Sequence, residues 1–289
     1  MTDTDRYEPG APPSPQHATP RGVIGVVHLP AMPGDPGFSG RDGFSGVEEV
    51  ALADARALIV GGVDALIIEN FGSAPFVKGD AGQRLPAVYV AAMTRILRSI
   101  MDIDGATGLP VGVNCLRNDA PAALGIAAAC GAAFIRVNVH VGAMVTDQGL
   151  IEGEAANTLR QRAALGAAGD VAILADVLVK HAAPLAPISA EAVTRDTIER
   201  GLADGVIVSG EATGAPVSAA HLDEVREAAG DTPVYIGSGL TPDRIETLAP
   251  RCHGAIVGTF FKRDGQVLAP VDTDRVHRLV DAVAGRFLA

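Results

Sequence analysis

Polar residues stand at the ends of short apolar runs in this chain, and their types suit acid–base chemistry on an anionic molecule. His28 closes the run 23–28, Glu69 and Asn70 follow 65–68, and Asn114 lies in 111–115. Arg136 and Asn138 lie in 133–139, Asp176 ends 171–176 and Ser209 ends 205–209. Side chains alternate along a strand, so Arg136 and Asn138 share one face and Val137 takes the other. A charged Arg136 inside an apolar strand needs a partner, because burying an unpaired charge is costly. It points to Glu69, to Asp176, or to a ligand anion; a structural ion pair between barrel layers is the alternative.

Glu69 and Asp176 suit an acid–base pair or a pair of ligands for a hard cation such as Mg2+. Each could equally order loop backbone or neutralise a neighbouring cation. Lys180, in the segment that follows Asp176, suits a substrate oxyanion or proton transfer, or else pairs with Asp176. His28 fits a general base or a substrate contact, with simple hydrogen bonding as the bland alternative. The catalytic candidates are thus His28, Glu69, Asp176 and Lys180, with Asn114, Arg136, Asn138 and Ser209 as substrate contacts. The histidines and cysteines show no zinc-ligand spacing.

Two later runs, 233–236 and 254–257, each break into a glycine-bearing turn: Gly237-Ser238-Gly239 and Gly258-Thr259. Glycines after a buried strand let backbone N–H groups approach an anion, and Thr241-Pro242 suits a helix cap and first position. Two such turns side by side are how a barrel builds a phosphate site after its last two strands.

The elements that must position these residues repeat. Eight apolar runs of strand length alternate with helical patterns at 47–60, 86–101, from 119, to about 167, 189–202, 218–229, from 241 and 273–287. Connections from helix to strand are short and those from strand to helix are long, which puts the elaborated loops on one face. Eight βα units predict a single (β/α)8 TIM barrel over 21–289, of the phosphate-binding type. Residues 1–20, polar and proline-rich, read as a disordered tail. The glycines of the first loop and of 142–149 predict mobile segments that close over a substrate or form oligomer contacts.

Composition agrees. Hydrophobic residues make up 48% and aromatics 4%, the aliphatic mix of parallel strands covered by helices. A net charge of −11 argues against nucleic acid or an anionic membrane surface as partner. Three scattered cysteines, no apolar leader and no run of roughly 18 apolar residues predict a cytoplasmic protein without a membrane span.

The series His28-Leu-Pro-Ala-Met-Pro-Gly34, Glu69-Asn-Phe-Gly72, Arg117-Asn-Asp119, Arg136-Val-Asn138, the stretch from Gly142 to Gly149, Val179-Lys-His181, Ile236-Gly-Ser-Gly239 and Ala255-Ile-Val-Gly-Thr259 resembles the BtpA family over roughly residues 21 to 287. The resemblance implies a phosphate-binding TIM barrel and carries no settled reaction. The expected function is an enzyme acting on a small phosphorylated metabolite, a sugar phosphate or a nucleotide-like one, by acid–base chemistry of the lyase or isomerase type. Alternatives are glycosidic-bond chemistry on a ribose phosphate, with Glu69 and Asp176 as the two carboxylates, and a non-catalytic biogenesis or regulatory factor. Barrels of this size commonly form homo-oligomers, which is the expectation here.

Overall fold

The computed structural model describes residues 19–41, 43–210 and 217–289. The strands are β1 (Gly22–His28), β2 (Ala65–Glu69), β3 (Val111–Asn114), β4 (Phe134–Val137), β5 (Ala143–Thr146), β6 (Gly149–Glu152), β7 (Ala172–Val177), β8 (Ala182–Pro184), β9 (Gly205–Val208), β10 (Val234–Ile236) and β11 (Gly254–Val257). The helices are α1 (Gly43–Val60), α2 (Ala87–Met101), α3 (Ala120–Cys130), α4 (Ala155–Ala164), α5 (Ala190–Arg195), α6 (Ala219–Ala229), α7 (Ile245–Leu248) and α8 (Thr273–Val283). Eight strands close into a parallel barrel in the order β1-β11-β10-β9-β7-β4-β3-β2. This is the (β/α)8 architecture that the alternation of runs predicts.

Local chemistry sets the boundaries. Asp119 caps α3 by accepting from the Ala122 amide, with Pro121 in the first turn, and Gly131 ends the helix in the left-handed region. Ser189 and Ser218 cap α5 and α6 in the same way. The helix predicted over 189–202 is α5 followed by one wider turn, Asp196–Arg200. The helix predicted to start at Thr241 is a 3₁₀ turn (Pro242–Arg244) leading into the single turn of α7, and Thr241 makes no side-chain cap bond.

The tail predicted over 1–20 falls, for residues 1–18, outside the described residues. Pro20 is buried and its carbonyl accepts from Tyr235 Oη at 2.8 Å inside the barrel.

Alternation along the strands sorts the interior into layers. Val26, Ile67, Phe134, Leu174, Ile207, Tyr235 and Ile256 fill the inside and are at most 5% exposed. Phe134 fits because Gly112 lies beside it; a Cβ there would stand 2.2 Å from the ring. The next inward position on each of the eight barrel strands, two residues further on, is His28, Glu69, Asn114, Arg136, Asp176, Ser209, Gly237 or Gly258. An apolar plug therefore supports a polar ring, and each barrel strand contributes one member to that ring.

The stretch 142–149, expected as a mobile loop, is half of something regular. β5 and β6 form an antiparallel hairpin, and β8, from the segment after β7, pairs with its other edge. Val139, Met144, Ile151 and Val179 make a small core beneath this three-stranded sheet. The first loop is also anchored: Asp35 accepts from the Met32 amide at 2.5 Å and from Ser73 Oγ at 2.8 Å.

Candidate active site

The ring at the C-terminal ends of the strands is asymmetric. Six of its members carry polar side chains, and the two contributed after β10 and β11 are glycines. A Cβ on Gly237 would meet Ser209 Oγ at 2.3 Å, and one on Gly258 would meet His28 Cε1 at 2.6 Å. These absences leave space for a cavity of about 240 Å³ that reaches Gly237, Ser238, Gly239, Gly258 and Thr259. All five residues expected to hold phosphate line it.

Their roles differ. The Gly237 amide donates to the Val208 carbonyl at 2.7 Å and belongs to the sheet, so Gly237 contributes room and not a donor. Among the described residues the Gly239 and Thr259 amides donate to no protein acceptor outside an element. Gly239 has φ of 75°, which a side chain would strain. With α7 reduced to one turn, the lobe presents local amides and not a helix dipole. Arg275, at the start of α8, also lines it, with its guanidinium 4.6 Å from the Phe260 ring centroid and Nε donating to the Phe260 carbonyl.

A second cavity of about 370 Å³ adjoins the first. Glu69, Arg136 and Lys180 line both. Phe71, Phe76, Asn114, Arg117 and Asn138 complete most of its wall, and Asp147, from the β5–β6 turn, closes its outer side.

Between the lobes, the two expected carboxylates have different environments. Asp176 accepts from Arg136 Nε at 2.9 Å, Arg136 Nη2 at 2.8 Å, Asn138 Nδ2 at 2.9 Å and Ser209 Oγ at 3.2 Å. Four donors fill the acceptor capacity of a carboxylate, and Asp176 lines neither lobe. Asp176 therefore holds Arg136, Asn138 and Ser209 in place from behind. Burial is the strongest single influence and opposes the Arg136 charge, but attraction and hydrogen bonds from Asp176, together with Glu69, hold the guanidinium above its ordinary pKa.

Glu69 faces both lobes. Its Oε2 accepts from Asn114 Nδ2 at 2.6 Å, while Oε1 lies 3.9 Å from His28 Nε2. That separation is too long for a hydrogen bond. Burial, chiefly, pushes His28 down to about 4, against the pull of Glu69. At neutral pH His28 is an uncharged ring beside Glu69, tilted against Phe71.

Lys180 is carried by strained backbone. Leu178 (φ 51°) and His181 (φ 56°) take left-handed conformations that such residues rarely adopt. Burial first, then repulsion from Arg136, lowers the Lys180 pKa, which brings an ammonium closer to proton exchange near neutrality. Arg117 Nη2 donates to the Lys180 carbonyl at 2.6 Å and braces this segment from β3.

The donor set does not fit a cation held between Glu69 and Asp176, because the Asp176 oxygens are already occupied. Among the described residues no group of three or more His, Cys, Asp or Glu side chains converges as metal ligands. Cys115 is buried, which pushes its thiol well up. Thr213 and Gly214, whose hydroxyl and amide in the sequence after the sixth barrel strand suit further donors, lie outside the described residues.

Arg117, Arg275 and the Phe71–Phe76 wall carry no sequence signal of the strand-end kind. Arg117 lies three residues beyond a strand end, and Arg275 enters from the last helix.

No helix among the described residues is long and apolar enough to cross a membrane. Several solved barrels resemble this one. Orotidine 5'-phosphate decarboxylase from Pyrococcus horikoshii matches with TM-score 0.54 at 12% identity, over 91% of this chain and 99% of that one. Phosphoribosyl anthranilate isomerase from Thermus thermophilus matches with TM-score 0.53 at 12% identity, over 91% and 98%. At such identities the likeness is one of fold. Sequence relatives lie nearer. The photosystem I biogenesis protein BtpA of Synechocystis sp. is 48% identical over 91% of this chain and 88% of its own length. The putative sgc region protein SgcQ of Escherichia coli is 32% identical over 92% and 95%. The BtpA family model matches residues 19–285, which take in every barrel strand and both lobes of the site, so the chain belongs to the BtpA family.

Proposed function

We propose that this protein is an enzyme of the lyase or isomerase type acting on a small phosphorylated metabolite. The observation that carries the reading is the junction of the two lobes. One lobe offers backbone amides and Arg275 to an anion, and the other offers polar side chains to the rest of the molecule. Glu69 and Lys180 stand where the two meet. A phosphate bound on the turns would fix the ligand, and the atoms crossing the junction would react.

In this reading Glu69 is the base, oriented by Asn114. Lys180 is the partner acid, or the cation that steadies an oxyanion formed beside a carbonyl. Arg136, already neutralised by Asp176, supplies directed donors more than net charge. The geometry favours this pair over Glu69 with Asp176, and it disfavours the glycosidase variant, since Asp176 is enclosed. A panel of phosphorylated metabolites screened by thermal shift tests the reading. A ligand at 100 times its Kd raises stability by about 2.7 kcal/mol, and a panel without hits beyond the buffer response, together with empty turns in crystals soaked in phosphate, would discard it.

A non-catalytic biogenesis factor is the second reading, supported by the name of the 48% identical relative. It requires ligand binding without turnover by the wild type, which the same panel followed by product analysis distinguishes. We also read the protein as cytoplasmic and self-associating. Buried free cysteines are compatible with the first, and Val145 and Leu150, exposed on the outer hairpin, suit the second. Fractionation, and light scattering on the purified chain, test these two points.

A further inference from the structure

Three side chains that line the second lobe are more than nine-tenths buried, and each keeps a polar atom without a hydrogen-bond partner: Asn114 Oδ1, Asn138 Oδ1 and Arg117 Nε. Buried polar atoms are nearly always satisfied in a protein, so a cluster of orphans in a cavity marks groups kept for a ligand. Their orientation is fixed from behind. Asn114 Nδ2 donates to Glu69 and Asn138 Nδ2 to Asp176, and an ionised carboxylate only accepts. Both amides are therefore committed with nitrogen toward the acid, leaving carbonyl oxygens as the spare groups. Arg117 is held by Nη2 on the Lys180 carbonyl, and its Nε is left over.

The cations of the lobe differ in how closely a carboxylate meets them. Arg136 is fully matched by Asp176. Among the described residues neither Arg117 nor Lys180 forms an ion pair, although Asp147 lines the same lobe. Glu69 and Asp176 attract both cations, and Asp147 attracts Arg117, without a carboxylate in direct contact; a ligand carboxylate seated between the two cations would supply that contact, beside the Phe71–Phe76 wall, whose ring centroids are 6.4 Å apart.

We propose that the second lobe is a carboxylate subsite and that the metabolite is a phosphorylated hydroxy acid. Its carboxylate pairs with Arg117 and Lys180, its chain hydroxyls donate to Asn114 Oδ1 and Asn138 Oδ1, and its phosphate lies on the Gly239 and Thr259 turns. The phosphate end rests on the function proposed above; the carboxylate end rests on the second lobe alone. A neutral planar group would cover Phe71 and leave both cations without a carboxylate in direct contact, and a chain without hydroxyls would leave both carbonyls unsatisfied.

The test uses matched pairs that differ only at the far end. Aldonate phosphates of four to six carbons, 6-phosphogluconate among them, are titrated calorimetrically into the full chain beside alditol phosphates of equal length. At the best-fitting length the aldonate should bind at least tenfold tighter. Arg117→Met should abolish that gap, weakening the aldonate phosphate at least tenfold more than the alditol phosphate, and Lys180→Met should reduce it. Gluconate, which lacks phosphate, should bind weakly to the wild type and not to Arg117→Met. Equal wild-type affinities at every length would overturn the proposal without any variant, as would a gap that survives Arg117→Met. If gluconate shows Arg117-dependent binding while no phosphorylated compound gains over its unphosphorylated form, the carboxylate subsite stands and the phosphate reading fails.

Discussion

Arg136 and Asp176 form a two-bond ion pair inside the barrel, with both side chains at most 3% exposed. They come from neighbouring strands, β4 and β7, and both project from the inward face. The pair joins two adjacent members of the polar ring and sets which of the two carboxylates remains available to a ligand. Asp176 is enclosed by it, and Glu69 is left facing both lobes.

Breaking the pair from one side leaves a buried charge. Asp176→Leu should cost about 3–5 kcal/mol of unfolding free energy, and the double variant Arg136→Met, Asp176→Leu should recover much of the loss. Urea unfolding of the three proteins measures this. A single variant within about 0.5 kcal/mol of wild type, the range of ordinary surface changes, would mean the pair is solvated.

His28 makes stability depend on pH. Its pKa is near 6.5 in the unfolded chain and about 4 when folded, so between these values the unfolded state binds more protons and stability rises with pH. The contribution is complete above pH 6.5 and falls away as pH drops toward 4, by an amount on the order of 3 kcal/mol. Subtracting the pH profile of His28→Gln from that of wild type isolates it. Parallel profiles would show that the ring is not buried as a neutral group.

The glycines at ring positions 237 and 258 are needed for space. Gly258→Ala should displace the His28 ring, and Gly237→Ala should press on Ser209. Overpacking of this kind costs about 1–3 kcal/mol. In both variants, phosphate binding should weaken more than tenfold while circular dichroism stays unchanged. Undiminished phosphate affinity in Gly258→Ala would place the anion elsewhere.

Glu69→Gln keeps the size of the side chain and a hydrogen bond to Asn114 but removes the base. Turnover of the metabolite selected by the thermal panel should fall by about 10²–10⁴-fold, the usual worth of general acid–base catalysis, with ligand affinity changed far less. An equal loss in both would make Glu69 a binding group. Lys180→Met should lower turnover and shift the basic limb of the pH–rate profile, because burial places the lysine below its ordinary range.

The strand-end residues are legible in the sequence because parallel barrel strands are short, apolar and alternating. A polar residue two places beyond an inward apolar one, as in Phe134-Ile-Arg136 or Leu174-Ala-Asp176, has to emerge at the mouth. That periodicity, the glycine turns at Gly237 and Gly258, and the asymmetry of the connections determined the barrel, the face that carries the ring and all eight ring members. Sequence could not assign partners. Whether Arg136 meets Glu69, Asp176 or a ligand depends on which strands are neighbours and on their stagger, and those are properties of the closed sheet. Tertiary structure decided that Asp176 is sealed behind Arg136, that the 142–149 loop is a hairpin paired with β8, and that Arg117 and Arg275 reach the site from outside the ring. These contacts join residues far apart in the chain, and only barrel closure brings them within bonding distance.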